Sequence, residues 1–187
     1  DLAISNSMPM YPMVGVLIGL ILALVSVLPL SSWILAWAMT GLNLYLTRGL
    51  HWDGWADLWD GWGSGATGER FWAIVKDSRI GAFGTMGLVF GLGTQTALLE
   101  AAVSQNAWGA VLFAPVFGRF CCLVLARLSA SLTRSGLGAN AMRGATRHAL
   151  ILGGCTTLIP ALTLSPSHLV ASLLLAIAPL AALLTLG

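Results

Sequence analysis

Apolar positions fall into six runs separated by more polar links, two of which are long. The runs lie at about Tyr11–Leu30, Ser32–Leu46, Ala82–Val103, Ala107–Ser129, His148–Leu164 and Leu169–Gly187. Several approach the roughly 20 residues that a helix needs to cross a bilayer, whereas the second and fifth are short. Since backbone groups in lipid must pair within their own segment, every run is predicted to be a helix. The pattern predicts an all-α fold, a polytopic transmembrane bundle of about six helices.

Composition supports this class of protein. Of the 187 residues 57% are apolar and 9% are charged, whereas an ordinary soluble domain has about 25% charged residues. A single water-soluble core cannot hide so much apolar surface. The three cysteines, Cys121, Cys122 and Cys155, lie in apolar runs, which favours buried packing over a disulfide framework.

Basic residues orient the predicted helices. Arginine and lysine occur in the links after runs two and four, and the links after runs one, three and five have none. The positive-inside rule then places both charged links and both termini in the cytoplasm. We expect one integral-membrane domain, residues 1–187, with cytoplasmic links at about 48–81 and 130–147. The arginines of the second, glycine-rich link suit either anionic lipid or a phosphorylated substrate.

The link after run two, at about 48–81, contains "HWDGWADLWDGWGS", residues 51–64. On a helix Asp53, Asp57 and Asp60 fall within about 60° of one another. The four tryptophans, Trp52, Trp55, Trp59 and Trp62, form a second stripe about 150° away. The motif therefore predicts a helix with a carboxylate face and an aromatic face.

Each face of this helix has an expected role. Tryptophan favours the membrane–water boundary, which we prefer here over ring stacking on a ligand. Gly54 and Gly61 lie near the carboxylates, where a missing side chain would let a ligand approach the backbone. Three neighbouring carboxylates repel one another unless a cation binds, and their hard oxygens suit Mg²⁺, Mn²⁺ or Ca²⁺. A solvated polar face is the alternative.

The rest of the link supplies phosphate-binding chemistry. Its glycines end the first helix, and Thr67 is the expected N-cap of the next helix, with Glu69 in the first turn. "KDSRIGAFG", residues 76–84, then enters the third run. Its mixture of cation, carboxylate and hydroxyl beside the aspartates favours phosphoryl transfer over an ordinary basic membrane boundary.

Three further ionisable residues stand out. Arg119 lies deep in the fourth run, where a charge is expected to be functional, the alternatives being snorkelling and a structural pair. Glu100 lies near the opposite face with no evident partner. His51 begins the aspartate motif, and a ligand role for it stays open.

These residues carry a resemblance. "LTRGLHWDGWADLWDGWGSG" and "IVKDSRIGAFGTMGLV", together with "YPMVGVLIGL", "FGRF" and "ARLSASLTRSGLG", resemble the cobalamin synthase family, the adenosylcobinamide-GDP ribazoletransferases. The resemblance covers nearly the whole chain. It implies a multi-pass enzyme of the bacterial inner membrane that uses Mg²⁺. In the family reaction a hydroxyl of α-ribazole, or of its 5′-phosphate, attacks the cobinamide-bound phosphorus of adenosylcobinamide-GDP. GMP leaves, and adenosylcobalamin or its 5′-phosphate forms.

The resemblance also implies roles for individual residues. Asp53, Asp57 and Asp60 would be the metal ligands, and Asp77 would complete the metal shell or orient the attacking hydroxyl. One of these four would be the general base. The implied substrate contacts are His51, Lys76, Ser78, Arg79 and Arg119. The expected partners are the two substrates and the lipid bilayer. No nucleic-acid partner is expected, and a homo-oligomer is left open.

The chain departs from the family pattern in two places. It has tryptophans where the family commonly has smaller apolar residues, and it lacks the "GGxTGD"-like motif that follows in the family, so we expect a chain shortened at its C-terminus.

Two rival functions fit the sequence less well. A CDP-alcohol phosphotransferase would show the spacing D-G-x₂-A-R-x₈-G-x₃-D-x₃-D, which is absent, and a cation channel or transporter would need acids within its spans, where only Glu100 is a clear candidate.

Overall fold

The computed structural model describes residues 2–129 and 137–164, and its regular elements are helices. They are α1 (Leu2–Ser7), α2 (Tyr11–Ser26), α3 (Ser32–Thr47), α4 (Leu50–Gly63), α5 (Gly68–Val75), α6 (Ala82–Ser104), α7 (Trp108–Leu128), α8 (Leu137–Gly144) and α9 (Arg147–Ala161). A 3₁₀ turn at Met8–Met10 joins α1 to α2. No strand occurs in these two ranges, so the all-α prediction is confirmed there.

Among the described residues, three helical segments are long and apolar enough to cross a membrane: Leu2–Ser26, Ala82–Ser104 and Trp108–Leu128. The first begins nine residues earlier than the predicted run because α1 and the 3₁₀ turn extend it. The short second and fifth runs form helices of 16 and 15 residues. The sixth predicted run, Leu169–Gly187, lies outside the described residues.

The chain divides into two compact units. The central unit is Val25–Gln105, and the flanking unit combines Asp1–Leu24 with Asn106–Gly187. The prediction of one membrane domain with links at about 48–81 and 130–147 stays a prediction.

In the central unit the chain turns sharply from α3 into α4. Ser31 caps α3 by accepting a hydrogen bond from the Ile34 backbone N–H. At the other end of α3, Arg48 and Gly49 both adopt left-handed backbone angles, φ 52° and 68°. Such angles are easy for glycine and cost a side-chain-bearing residue about 1 kcal/mol or more. This two-residue turn brings the aspartate motif directly after the second apolar run.

In the flanking unit α2 packs closely on α7 through glycines. A Cβ added at Gly15 would lie 2.6 Å from the carbonyl oxygen of Pro115, and one added at Gly19 would lie 3.1 Å from the Cα of Leu112. Small residues four apart let apolar helices approach until their backbones touch. The spacing Gly15–Gly19 thus defines the face of α2 that meets α7.

The second link is more ordered than predicted. We expected a basic, glycine-rich loop, but residues 137–144 form α8. Arg143 in its last turn donates a hydrogen bond to Asn140 Oδ1, one turn earlier, a spacing at which helical side chains meet. Thr146 then caps α9 by accepting a hydrogen bond from the Ala149 N–H.

Candidate metal and phosphate site

Helix α4 carries the aspartate face as predicted. Asp53 is exposed, and Asp57 and Asp60 are half-buried. Partial burial, followed by the negative charges of Asp53 and Asp60, raises the pKa of Asp57 above the ordinary carboxyl value. The three carboxylates are therefore near enough to repel one another, which is the electrostatic setting that a bound cation relieves.

Asp60 differs from the other two because both of its oxygens have backbone partners. Oδ2 accepts a hydrogen bond of 2.7 Å from the Gly81 N–H. Oδ1 accepts one of 2.8 Å from the Gly84 N–H. Both donors belong to the N-terminus of α6, so Asp60 joins α4 to α6.

The tryptophan stripe packs mainly on protein, and its place at the membrane boundary stays a prediction. Trp52, Trp55 and Trp59 are half-buried. Cβ atoms added at Gly87 or Gly91 of α6 would collide with these indole rings. Trp55 Nε1 also donates a hydrogen bond of 2.9 Å to the Gly87 carbonyl oxygen.

The fourth tryptophan differs, since Trp62 remains 47% exposed. A groove of small residues on α6 thus receives three of the four rings.

Gly54 and Gly61, the two glycines near the carboxylates, have different surroundings. No atom lies within 4 Å of a Cβ added at Gly54, so the space beside Asp53 and Asp57 is open. Gly61 is buried, and a Cβ there would lie 2.7 Å from the Phe71 ring of α5. Gly54 therefore borders open space, where ligand access stays a prediction, whereas Gly61 makes room for α5.

The segment after α5 presents the predicted phosphate contacts. Thr67 is the N-cap of α5 as predicted, although its side chain makes no capping hydrogen bond. Lys76, Ser78 and Arg79 are exposed. These cationic and hydroxyl groups lie on the five-residue stretch between α5 and Gly81, whose N–H is bound to Asp60.

Asp77 and Arg79 form an ion pair. Arg79 Nη2 lies 2.7 Å from Asp77 Oδ2, and Arg79 Nε donates to Asp77 Oδ1 at 3.0 Å. These hydrogen bonds lower the pKa of Asp77 to about 2. The Arg79 side chain is still 87% exposed, so its remaining N–H groups can bind an anion.

The other singled-out residues have different surroundings. His51 is exposed near the start of α4. Arg119 belongs to the flanking unit, where it is only 7% exposed. Its Nη1 donates a hydrogen bond to the Pro115 carbonyl oxygen, and its guanidinium lies 5.8 Å from the centre of the Tyr11 ring. Among the described residues its buried Nε has no hydrogen-bond partner. Glu100 does have a partner, contrary to expectation, because Ser32 Oγ donates to it at 2.8 Å.

Helix α4 offers a divalent ion part of the ligand set that it needs. Within residues 2–129 and 137–164, no three His, Cys, Asp or Glu side chains are arranged as a complete protein metal site. Mg²⁺ usually takes one or two carboxylates and completes its octahedron with water and substrate phosphates. Asp53 and Asp57, beside the open space at Gly54, fit that type of binding.

Comparison with known proteins identifies the family. The sequence profile described as Cobalamin-5-phosphate synthase matches residues 1–187. The chain belongs to this family. The resemblance stated from the motifs is thereby confirmed. No solved structure matches this cobalamin-5-phosphate synthase family member significantly.

Curated relatives carry one common name, "Adenosylcobinamide-GDP ribazoletransferase". A protein of Nitratidesulfovibrio vulgaris (strain Miyazaki F) is 51% identical over 139 residues, which are 73% of this chain and 55% of the relative. One of strain DP4 is 45% identical over 157 residues, 82% of this chain and 64% of the relative. A relative in Syntrophobacter fumaroxidans is 34% identical over 92% of this chain and 71% of its own length. The chain thus spans less than two thirds of the first two relatives.

Proposed function

We propose that the chain is an adenosylcobinamide-GDP ribazoletransferase. A hydroxyl of α-ribazole, or of its 5′-phosphate, would form a new bond to the cobinamide-bound phosphorus of adenosylcobinamide-GDP. The bond between that phosphorus and the GMP portion breaks, so GMP leaves and adenosylcobalamin or its 5′-phosphate forms. The observation that carries this proposal is the family match over residues 1–187, and the relatives' common name supports the choice of substrates.

Asp53 and Asp57 would hold a Mg²⁺ ion against the diphosphate. When bound, the ion supplies positive charge that offsets the charge developing on the transferring oxygens. The two carboxylates lie one turn apart on α4 beside the open position at Gly54. The sequence predicts Asp60 as a third ligand, but backbone N–H groups already bind both of its oxygens, so Asp53 and Asp57 are the ligands proposed here.

The basic and hydroxyl groups near α4 would bind the remaining phosphate oxygens. Lys76, Ser78 and Arg79 are exposed on one short stretch, and a guanidinium fork binds phosphate in a bidentate manner. His51 and Arg119 stay proposed substrate contacts. Because the diphosphate has several charged oxygens, no single one of these residues has to bind it alone.

Asp77 is the proposed orienting group for the attacking hydroxyl. Its carboxylate is paired with the Arg79 guanidinium, 2.7 Å away. A pKa of about 2 makes Asp77 a weak base at neutral pH, and efficient proton acceptors have pKa values near the working pH. Asp77 is therefore better suited to accept a hydrogen bond from the hydroxyl than to remove its proton. The general base is then expected on the α4 face.

We place the enzyme in the bacterial inner membrane. Three apolar helices in the described part of the chain are long enough to cross the bilayer, and the positions of the basic residues favour a cytoplasmic α4 and second link. A charged diphosphate substrate would reach a cytoplasmic site without crossing lipid.

A product assay tests the proposal. The chain, purified and reconstituted in lipid, is supplied with adenosylcobinamide-GDP, α-ribazole and Mg²⁺, and the products are separated by chromatography. We expect GMP and adenosylcobalamin in equal amounts, and none without α-ribazole. Release of CMP and phospholipid from a CDP-linked donor, with no cobalamin formed, would instead indicate the CDP-alcohol phosphotransferase type.

A further inference from the structure

We infer that Asp60 is a positioning residue that locks α4 to the start of α6, distinct in role from Asp53 and Asp57. The inference rests on the proposed function for its catalytic meaning, but its geometry stands by itself. The carboxylate accepts hydrogen bonds of 2.7 and 2.8 Å from the N–H groups of Gly81 and Gly84. Those two bonds use one lone-pair direction on each oxygen.

The two N–H groups are those that a helix start leaves unpaired. Gly81 is the N-cap of α6 and has no side chain with which to cap the helix. Gly84 is three residues further on, at the position that an N-cap side chain usually satisfies. In a capping box two local side chains satisfy these two donors. Here one carboxylate from α4 satisfies both, and its negative charge also suits the positive end of α6.

The glycines leave room for this carboxylate. A Cβ added at Gly84 would lie 2.9 Å from the Ala56 carbonyl oxygen and equally close to Asp60 Cγ. One added at Gly81 would lie 2.9 Å from Asp60 Cγ. Because Ala56 contributes a backbone atom, α4 itself would have to move to accommodate the added carbon. The close approach of α4 to α6 and the hydrogen bonds of Asp60 therefore depend on each other.

This lock connects the two halves of the candidate site. On one side, α4 carries Asp53 and Asp57 on the turns before Asp60. On the other side, Gly81 directly follows the stretch with Lys76, Ser78 and Arg79. Fixing Gly81 to Asp60 sets the distance between the carboxylate face and the phosphate-binding side chains. Small errors in such a distance reduce catalytic rates strongly.

Measurements of Mn²⁺ binding distinguish a positioning role of Asp60 from that of a metal ligand. Binding of Mn²⁺ to the chain in lipid nanodiscs is measured by electron paramagnetic resonance for wild type, Asp60→Asn and Asp57→Asn. A positioning role predicts a rise in the Mn²⁺ dissociation constant of less than about 3-fold for Asp60→Asn, because only a neighbouring charge is lost. Asp57→Asn should raise it by at least about 10-fold. Equal rises of about 10-fold would overturn the inference.

Amide hydrogen exchange tests the lock directly. With charge-assisted hydrogen bonds to Asp60, the peptide covering residues 81–84 should be protected in the wild type. Asp60→Asn should speed its exchange by about 10-fold or more, while peptides from α3 stay unchanged. Unchanged exchange at residues 81–84 would contradict the inference whatever the metal data show.

A glycine pair gives an independent version of the test. Gly84→Ala keeps every carboxylate but should force α4 away, so it should speed exchange at residues 81–84 and lower the turnover number for GMP release without changing the Mg²⁺ half-saturation concentration. Gly93→Ala is the matched control on the same helix, since nothing lies within 4 Å of its added Cβ. Similar behaviour of the two variants would sink the inference.

The outcomes also separate the inference from the proposed function. If the wild-type chain releases no GMP, the function fails, yet faster exchange in Asp60→Asn with unchanged Mn²⁺ binding still establishes the lock. If GMP is released and Asp60→Asn needs far more Mg²⁺ to support it, the function stands and the positioning role is wrong.

Discussion

At the scale of single residues, Asp57 reports the repulsion within the carboxylate face. Partial burial and the charges of Asp53 and Asp60 raise its pKa. The folded chain therefore holds this proton more tightly than the unfolded chain does. In metal-free buffer, stability is lost as the pH rises from the ordinary carboxyl range through the raised pKa of Asp57.

The first prediction is that Asp53→Asn lowers the pKa of Asp57, because one of the two repelling charges is removed. The pKa is read from the pH dependence of the Asp57 carboxyl carbon signal in nuclear magnetic resonance spectra. In the wild type, added Mg²⁺ should also lower the pKa of Asp57. An Asp57 pKa that moves with neither change would show that the carboxylates act independently.

Trp55 gives a second prediction. Its Nε1 donates a hydrogen bond to the Gly87 carbonyl oxygen, and Phe has a smaller ring and lacks the donor. Trp55→Phe should therefore lower the free energy of unfolding by about 1 kcal/mol, measured by denaturant titration in mild detergent. Trp62→Phe is the control, because this exposed side chain has far less packing to lose. Equal losses in the two variants would contradict the packing role of Trp55.

At the scale of helices, the packing of α2 on α7 depends on bare backbone at Gly15. The third prediction is that Gly15→Ala destabilises the chain by about 1–3 kcal/mol through overpacking, because its Cβ would meet the backbone of Pro115 and Val116. Gly118→Ala on α7 should be nearly neutral, since its added Cβ meets no atom. Unfolding in detergent compares the two, and a neutral Gly15→Ala would show that α2 and α7 are further apart.

How far the sequence predicts the structure can be judged from α4. The spacing of Asp53, Asp57 and Asp60 was sufficient to predict one carboxylate face on a helix, because a helix has a fixed period. It was not sufficient to distinguish Asp60, whose backbone partners lie 21 and 24 residues away. Backbone donors carry no residue-specific signal, so only the glycines at 81 and 84 hinted at a close approach.

The tryptophans show a different limit of sequence interpretation. A large amphipathic ring suits a membrane boundary, and it equally suits a groove lined by glycines. The regular glycines at 84, 87 and 91 of α6 were the available signal for the groove. The partner of Glu100 was missed because Ser32 lies 68 residues away in sequence, and a single serine in an apolar helix is an ordinary residue.

At the scale of the whole molecule, charge is divided unevenly along the chain. The central segment Val25–Gln105 holds six of the seven acidic residues, whereas five of the nine basic residues lie in the flanking segments. Basic residues still occur in both predicted cytoplasmic links. The positions of the basic residues therefore predict which links face the cytoplasm, whether or not the chain is catalytically active.

The fourth prediction concerns this sidedness. In a chain whose three native cysteines are replaced by alanine, single cysteines at Ser64 and Gly138 should react with a membrane-impermeant maleimide only in inside-out vesicles. A cysteine at Gln105, in the link between α6 and α7, should react only in right-side-out vesicles. Labelling of Ser64 and Gln105 from the same side would contradict the proposed orientation.

The central claim is that carboxylates of α4 hold the divalent ion needed for nucleotide release. GMP release from adenosylcobinamide-GDP and α-ribazole is measured across a Mg²⁺ titration for wild type, Asp57→Asn and Glu69→Gln, with folding checked by circular dichroism. We predict saturable, Mg²⁺-dependent release in the wild type and in the Glu69→Gln control, and no Mg²⁺-dependent release in a folded Asp57→Asn chain. Wild-type turnover and Mg²⁺ dependence in Asp57→Asn would contradict the account.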